Sequence, residues 1–371
     1  TDRSRGLGDV YKRQIRRHYL IMDRILINDD ILKYAQMYEQ AFRICQPDVP
    51  TELRNIKERL DIYNVDNHLL PNVLDEYKAY VEEIAKDYDN AEDETMNLLV
   101  LQPQHFHNYI NKYEGVLFQH VELDKELVYH KQIGGKRPGP KKKKFWELIV
   151  DAMHYEKIVR PIMIPIIEAM GIRTCVYCNM QYALTIDHSK GLYELDHRFP
   201  KSKYPYLCTT FYNLQPCCPT CNHGKNTATA DFGLYTTDSN ELHPFHLLAK
   251  PHLYLRERRF NPQYINIHLI PSDVHNLTNC QLAKTHEKDF MIDSTYAAVK
   301  DVAEETIWRC KAYDDTYKDL FIKNFPELYN KDALHRFVFG TYSDDKNVHC
   351  RPLTKLIRDI EKDMGVIIEP V

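Results

Sequence analysis

Cys175-Val176-Tyr177-Cys178 opens, and Cys218-Pro219-Thr220-Cys221 closes, the stretch whose reading decides the fold of this chain. Each CxxC supplies two thiolates from one tight turn, and four thiolates make a closed tetrahedral zinc site. With sulfur in all four positions the ion has no place for water, so it holds shape and does no chemistry. One alternative register exists, because Cys217 stands beside Cys218; only Cys218 completes CxxC with Cys221, and Cys217 is expected to face away. Cys218 and Cys221 are expected at the start of a helix, where the dipole favours thiolate. Between the pairs lie Glu194-Leu195-Asp196-His197 and Tyr212-Asn213-Leu214, and Asn222, His223 and Lys225 follow the last cysteine. A purely structural knuckle has no need of an Asp-His pair with two asparagines. These are the parts of a hydrolytic metal site.

The motifs CxxC, DHRFPKS, YNL and CxxCN, with a lysine three residues after the last Asn, resemble the HNH nucleases. These are the ββα-metal (His-Me finger) endonucleases in their zinc-stapled form. The resemblance runs from Cys175 to Lys225 of 371 residues. ELDHRFPKSKYP followed by FYNLQPCCPTCN also resembles HNH proteins of bacterial anti-phage and restriction systems. The resemblance implies Asp196 as a metal ligand, His197 as general base, and Asn213 as the residue that orients the base through backbone around it. It implies Asn222 as the second ligand of a catalytic Mg²⁺ or Mn²⁺, ions that prefer oxygen donors and keep several waters. Many relatives carry His at this last position, which leaves His223 as a rival ligand. Lys225, Lys201 and Lys203 are expected to meet phosphate, with a solvated surface lysine as the plain alternative for each. His188 is expected in an exposed turn, Glu194 beside Asp196 on one strand face, and His243 and His246 in structural roles. Thr185–Asp187 and Tyr193–Asp196 are expected as two strands of one hairpin, and Leu214-Gln215-Pro216 as a short strand leading into the helix.

Outward from this core the fold class reads as α+β: a mainly helical protein around a zinc-stapled, treble-clef-like ββα-metal core. Residues 1–14 contain Asp9-Val10-Tyr11-Lys12-Arg13-Gln14, which reads as a translated sequencing-library adapter, with Met22 as the expected native start. Residues 15–130 are expected to form a helical region. Ile31, Tyr34, Met37, Tyr38 and Phe42 recur at helical spacing; Leu53 to Ile62, Val73 to Ala85 and Thr95 onward suggest further helices. His105 and His107 sit among polar and aromatic residues and are not read as metal ligands. Residues 131–144 break composition: glycine and proline, then Lys141, Lys142, Lys143 and Lys144. The run reads as a solvated linker or as a basic arm on nucleic-acid phosphates. Residues 145–230 join a bracing helix, broken near Pro161 and Pro165, to the nuclease core. Residues 231–371 are expected to be mostly helical, with a strand over Gln263–Ile270, one after Glu241–His246, and helices over Thr295–Leu320 and Pro352–Met364.

Hydrophobic residues make up 43% and charged residues 27%, a globular balance, and no run of eighteen apolar residues marks a membrane span. No signal-peptide pattern is read, so the expected location is cytoplasmic. Ten cysteines there imply zinc ligands plus free thiols rather than disulfides. The net charge of −4 means that nucleic-acid contact must come from a local basic surface. The function expected is a metal-dependent HNH endonuclease on DNA, serving defence, with an operon-encoded ATPase or other defence partner. The rival readings are a non-catalytic zinc knuckle binding nucleic acid or protein, and an RNA-directed effector.

Overall fold

Apolar side chains three and four residues apart put one buried face on each of the first helices. In Asp29–Cys45 that face is Ile31, Ala35, Tyr38 and Phe42, and in Val49–Ile62 it includes Leu53, Ile56 and Leu60. Asp48 caps the second of these by accepting the Thr51 N–H at 3.0 Å, and Pro50 sits in the first turn, where no N–H is needed. Pro71–Tyr88 packs against Val49–Ile62 and buries Tyr77, Tyr80, Val81 and Ile84. The computed structural model describes residues 23–45, 48–88, 97–129, 141–187, 190–257, 260–313, 315–325 and 331–366. The adapter-like segment, Met22, His188 and residues 131–140 of the Gly/Pro/Lys segment lie outside these. The fourth expected helix starts later than Thr95. It is Phe106–Tyr113, entered through a 3-10 turn at Pro103–His105, because Pro103 can begin a helix but not continue one.

Mixed helix and short sheet, mainly helical, the chain forms two compact units. One is Arg24–Ser239 with His349–Leu353; the other holds Asp23, Asn240–Val348 and the described residues from Thr354 to Val366. The described parts of the expected segments 15–130 and 145–230, from Arg24 on, fall within the first of these units. Its helical part grips the loop that follows His197. Tyr38 donates to the Thr209 carbonyl at 2.6 Å, and the Phe211 N–H donates to the Leu99 carbonyl at 2.8 Å. Phe106 meets Phe199 edge-on, and Tyr113 stacks on Tyr206 at 4.1 Å between centroids.

Lys141–Lys144 is not a free arm. It is a strand paired antiparallel with Glu126–Tyr129, Lys144 opposite Glu126 and Lys141 opposite Tyr129. Lys143 pairs with Asp151 and Lys144 with Asp124 at 2.8 Å, while Lys142 is exposed. Acidic partners on neighbouring elements offset two of the four charges, a feature that composition alone does not reveal. The bracing helix is likewise divided, but before Pro161. Phe145–Ala152 is capped by Met153, His154 follows with a φ of 56°, and a π-helical turn Tyr155–Val159 precedes Arg160–Ala169. Pro161 starts that last helix, and Pro165 lies inside it.

In the other unit Phe245–Leu248 pairs antiparallel with His268–Pro271, His268 opposite Leu248. The expected strand over Gln263–Ile270 is shorter, because Asn261 accepts the Gln263 N–H and turns Pro262–Tyr264 into a 3-10 element. The helical run Thr295–Leu320 is divided into Lys300–Ala312 and Asp315–Asn324, preceded by Ile292–Tyr296. Thr354–Asp363 buries Leu356, Ile357 and Ile360 beside the Lys355–Asp359 pair. His243 bonds Asp23 at 2.8 Å, and His246 bonds Asp363 at 3.0 Å. Among the described residues no helix is long and apolar enough to cross a membrane.

Candidate metal centre and nuclease site

Two tight turns build the sulfur cluster. In the first, the Asn179 N–H returns to the Cys175 carbonyl at 2.8 Å, Asn179 takes a φ of 49°, and the Met180 N–H points at the Cys178 sulfur at 3.5 Å. In the second, Cys218 is the N-cap of helix Pro219–Lys225, and its sulfur accepts the Cys221 N–H at 3.5 Å. The Sγ atoms of Cys175, Cys178, Cys218 and Cys221 all lie within 4.8 Å of one another, and all four residues are buried. Sulfurs at about 2.3 Å from a tetrahedral zinc stand roughly 3.8 Å apart, so the set fits a structural zinc. Backbone N–H groups aimed at two of the sulfurs favour thiolate. Cys217, buried but outside the cluster, belongs to strand Leu214–Cys217.

The expected hairpin is corrected. Leu184–Asp187 pairs with Lys190–Leu192, whereas Glu194–His197 pairs antiparallel with Leu214–Cys217. Asp196 stands opposite Gln215 and His197 opposite Leu214, so the Asp-His pair and Asn213 share one strand end. The knuckle is tied to the same ladder, since the Val176 N–H donates to the Pro216 carbonyl at 3.2 Å.

His197 is buried, and its Nε2 lies 2.9 Å from the Cys208 carbonyl. A carbonyl only accepts, so this contact assigns the proton to Nε2 and leaves the lone pair on Nδ1. Burial pushes the imidazole pKa down to about 3, with the Lys201 and Lys225 charges adding to the shift and the Cys208 carbonyl opposing it. The ring is therefore neutral at ordinary pH. Asn213, fully buried, fastens the loop. Its Oδ1 accepts the Phe199 N–H at 2.8 Å, and its Nδ2 donates to the carbonyls of Leu207 at 2.9 Å and Phe199 at 3.1 Å.

Lys225 departs from its expected place. Instead of facing a phosphate it is 3% exposed, and its Nζ donates to Asp196 Oδ1 at 2.9 Å and to the His197 carbonyl at 2.7 Å. A buried carboxylate requires a counter-charge, and one helix turn beyond Cys221 this ammonium supplies it. Tyr177, from inside the first CxxC, donates to Asp196 Oδ2 at 2.5 Å. Burial pushes the Asp196 pKa up, and Lys225 and Tyr177 pull it back. Asn222 donates its amide to Glu194. With both Asp196 oxygens engaged and Asn222 turned to Glu194, this arrangement does not fit a hydrated divalent cation as it stands. His223 and Lys203 are exposed. Lys201 pairs with Glu156 and lies 4.6 Å over the Tyr155 ring, which itself packs on His197 at 4.5 Å.

Three contributors escape sequence reading: Tyr177, Tyr155 and the Cys208 carbonyl. Tyr177 carried a signal, its position between the two knuckle cysteines. Tyr155 carried none, since the π turn that aims it shows only in the fold; such turns recur at functional sites.

No protein-family model matches the chain, and no solved structure matches it. Over 58 residues the chain is 36% identical to a curated protein of Bacillus thuringiensis. That relative is Septu protein PtuB. The matched part is 16% of this chain and 21% of the relative, so the chain spans about a fifth of the relative's length.

Proposed function

We propose that this chain is an HNH-type endonuclease that hydrolyses DNA phosphodiester bonds in defence against foreign DNA. The observation that carries this reading is His197: a buried neutral imidazole, its tautomer set by the Cys208 carbonyl, beside Asp196 and held by Asn213. In the proposed step, Nδ1 takes a proton from water as its oxygen forms a bond to phosphorus in line with the leaving group. The P–O3′ bond breaks, the 3′ oxygen takes a proton from solvent, and the products carry 5′-phosphate and 3′-hydroxyl ends. A divalent cation held by Asp196 and Asn222, once these are released by Lys225 and Glu194, would supply charge neutralisation at the phosphate and the leaving oxygen. Zinc in the sulfur cluster would hold the two knuckles and take no part in the reaction.

The defence role is supported by the partial likeness to Septu protein PtuB and by the resemblance of the DHRFPKS segment to anti-phage HNH proteins. A defence ATPase is the partner class proposed, and the cytoplasm the proposed compartment. The closed Lys225–Asp196 pair favours one rival, a non-catalytic zinc knuckle. The test is incubation of zinc-loaded protein with plasmid and linear DNA in Mg²⁺, Mn²⁺ or EDTA, followed by end analysis. Cleavage leaving ligatable 5′-phosphates supports the enzyme. Absence of cleavage, both alone and with a candidate ATPase encoded beside it, supports the rival.

A further inference from the structure

Asp196 Oδ1 and the His197 carbonyl form an oxygen cradle for a cation, and Lys225 lies in it with Nζ at 2.9 and 2.7 Å. Tyr177 holds the other carboxylate oxygen, so Asp196 cannot turn to offer a fresh one without losing that bond. The lysine side chain is wholly shielded from solvent, and Asp196 nearly so. We propose that Lys225 is a built-in competitor of the catalytic cation: the ammonium and a divalent ion share one cradle, and the ion enters only as Lys225 leaves. This inference rests on the reading of Asp196 as a cation ligand.

The helix supplies a route for that departure. Lys225 is the last residue of Pro219–Lys225, and Asn226 behind it takes a φ of 52°. Helix ends fray more easily than interiors. Opening this final turn would free Lys225 and would loosen Asn222, whose carbonyl accepts the Asn226 N–H at 2.9 Å. Cys218 and Cys221, at the opposite end of the same helix, need not move. One short helix thus carries sulfur ligands at its first turn and, at its last residue, the lysine that occupies the oxygen site. Affinity for the ion is reduced by the fraction of molecules in which the cradle is open.

The experiment is Mn²⁺ binding to full-length, zinc-loaded protein, measured by calorimetry and by electron paramagnetic resonance, for wild type and Lys225→Met. Methionine keeps most of the volume and removes the charge. The expected result is binding at least about tenfold tighter in the variant, with zinc content unchanged. Equal binding in both would overturn the competition and leave the cation-ligand reading standing. Binding in neither would overturn both. Should Lys225→Met fail to fold, amine acetylation of the wild type decides, with Lys225 read by mass spectrometry. Mn²⁺ is expected to raise Lys225 labelling severalfold, and protection that persists at saturating Mn²⁺ would refute the exchange.

Discussion

Asn213→Ala should separate loop integrity from zinc binding. Its amide makes three hydrogen bonds, to the Phe199 N–H, the Phe199 carbonyl and the Leu207 carbonyl, at 2.8, 3.1 and 2.9 Å. Both partner residues are buried, so water does not readily replace the lost groups. Each bond contributes about 1 kcal/mol net, and each buried group left unpaired costs roughly 1–3 kcal/mol. Because the loop can relax, a total of about 3–5 kcal/mol is the expected loss. For a unit of this size that corresponds to a fall in Tm on the order of 6–20 °C. The assay is thermal unfolding by circular dichroism, with zinc measured on the same sample and cleavage measured well below the lower Tm. Zinc content should stay at wild-type level, and cleavage should fall because the Phe199–Cys208 loop, whose Cys208 carbonyl orients His197, is loosened. A Tm within about 1 °C of wild type would refute the assignment of Asn213 as the fastener of this loop.

Cys218→Ser should lose zinc and solubility, since structural zinc contributes on the order of 10 kcal/mol to small metal-held folds. Cys217→Ser should retain about one zinc per chain, and elemental analysis checks both. Burial lowers the His197 pKa to about 3, so its proton-accepting form persists well below the usual imidazole range. Cleavage should therefore show no acid limb near pH 6.5 from this group, and a limb there in the pH–rate profile would contradict the burial argument. The same shift makes the unfolded chain bind the proton first, so stability should decline as pH falls from about 6.5 toward 3. In His197→Gln, denaturation across that range should show a shallower decline. Lys142→Ser and Lys203→Ser remove exposed charges, and if each meets one phosphate the log–log salt slope of DNA binding should drop by about 0.9 per site. Lys143→Ser, already paired with Asp151, should change it less.

The sulfur cluster was legible because CxxC is local: two residues of spacing fix the turn, and four sulfurs demand one meeting point. Asp196, His197 and Asn213 are grouped in the sequence only through resemblance, and the ladder of Glu194–His197 with Leu214–Cys217 brings them to one strand end. The partner strand was misread because the short turn after Asp187 suggested a simple hairpin, while the true pairing spans the loop between His197 and Leu214. Lys225 was misread for a different reason. A lysine near a helix end normally faces water, and its burial here depends on an aspartate 29 residues away. The Lys141–Lys144 strand likewise depends on Asp124 and Asp151 and on pairing with Glu126–Tyr129, none of which a charge run announces. Tyr38 on Thr209 and Phe106 on Phe199 join the N-terminal helices to the site loop through contacts invisible in periodicity.

The most direct measurement of the proposed chemistry compares wild type and His197→Ala on the same plasmid substrate, at matched zinc content and matched DNA affinity. His197 lies outside the sulfur cluster, so the variant should keep its zinc and bind DNA nearly as well. The expected result is loss of cleavage by about 10²–10⁴-fold, the usual contribution of a positioned general base. Equal cleavage by wild type and His197→Ala would contradict the assignment of His197 as the base.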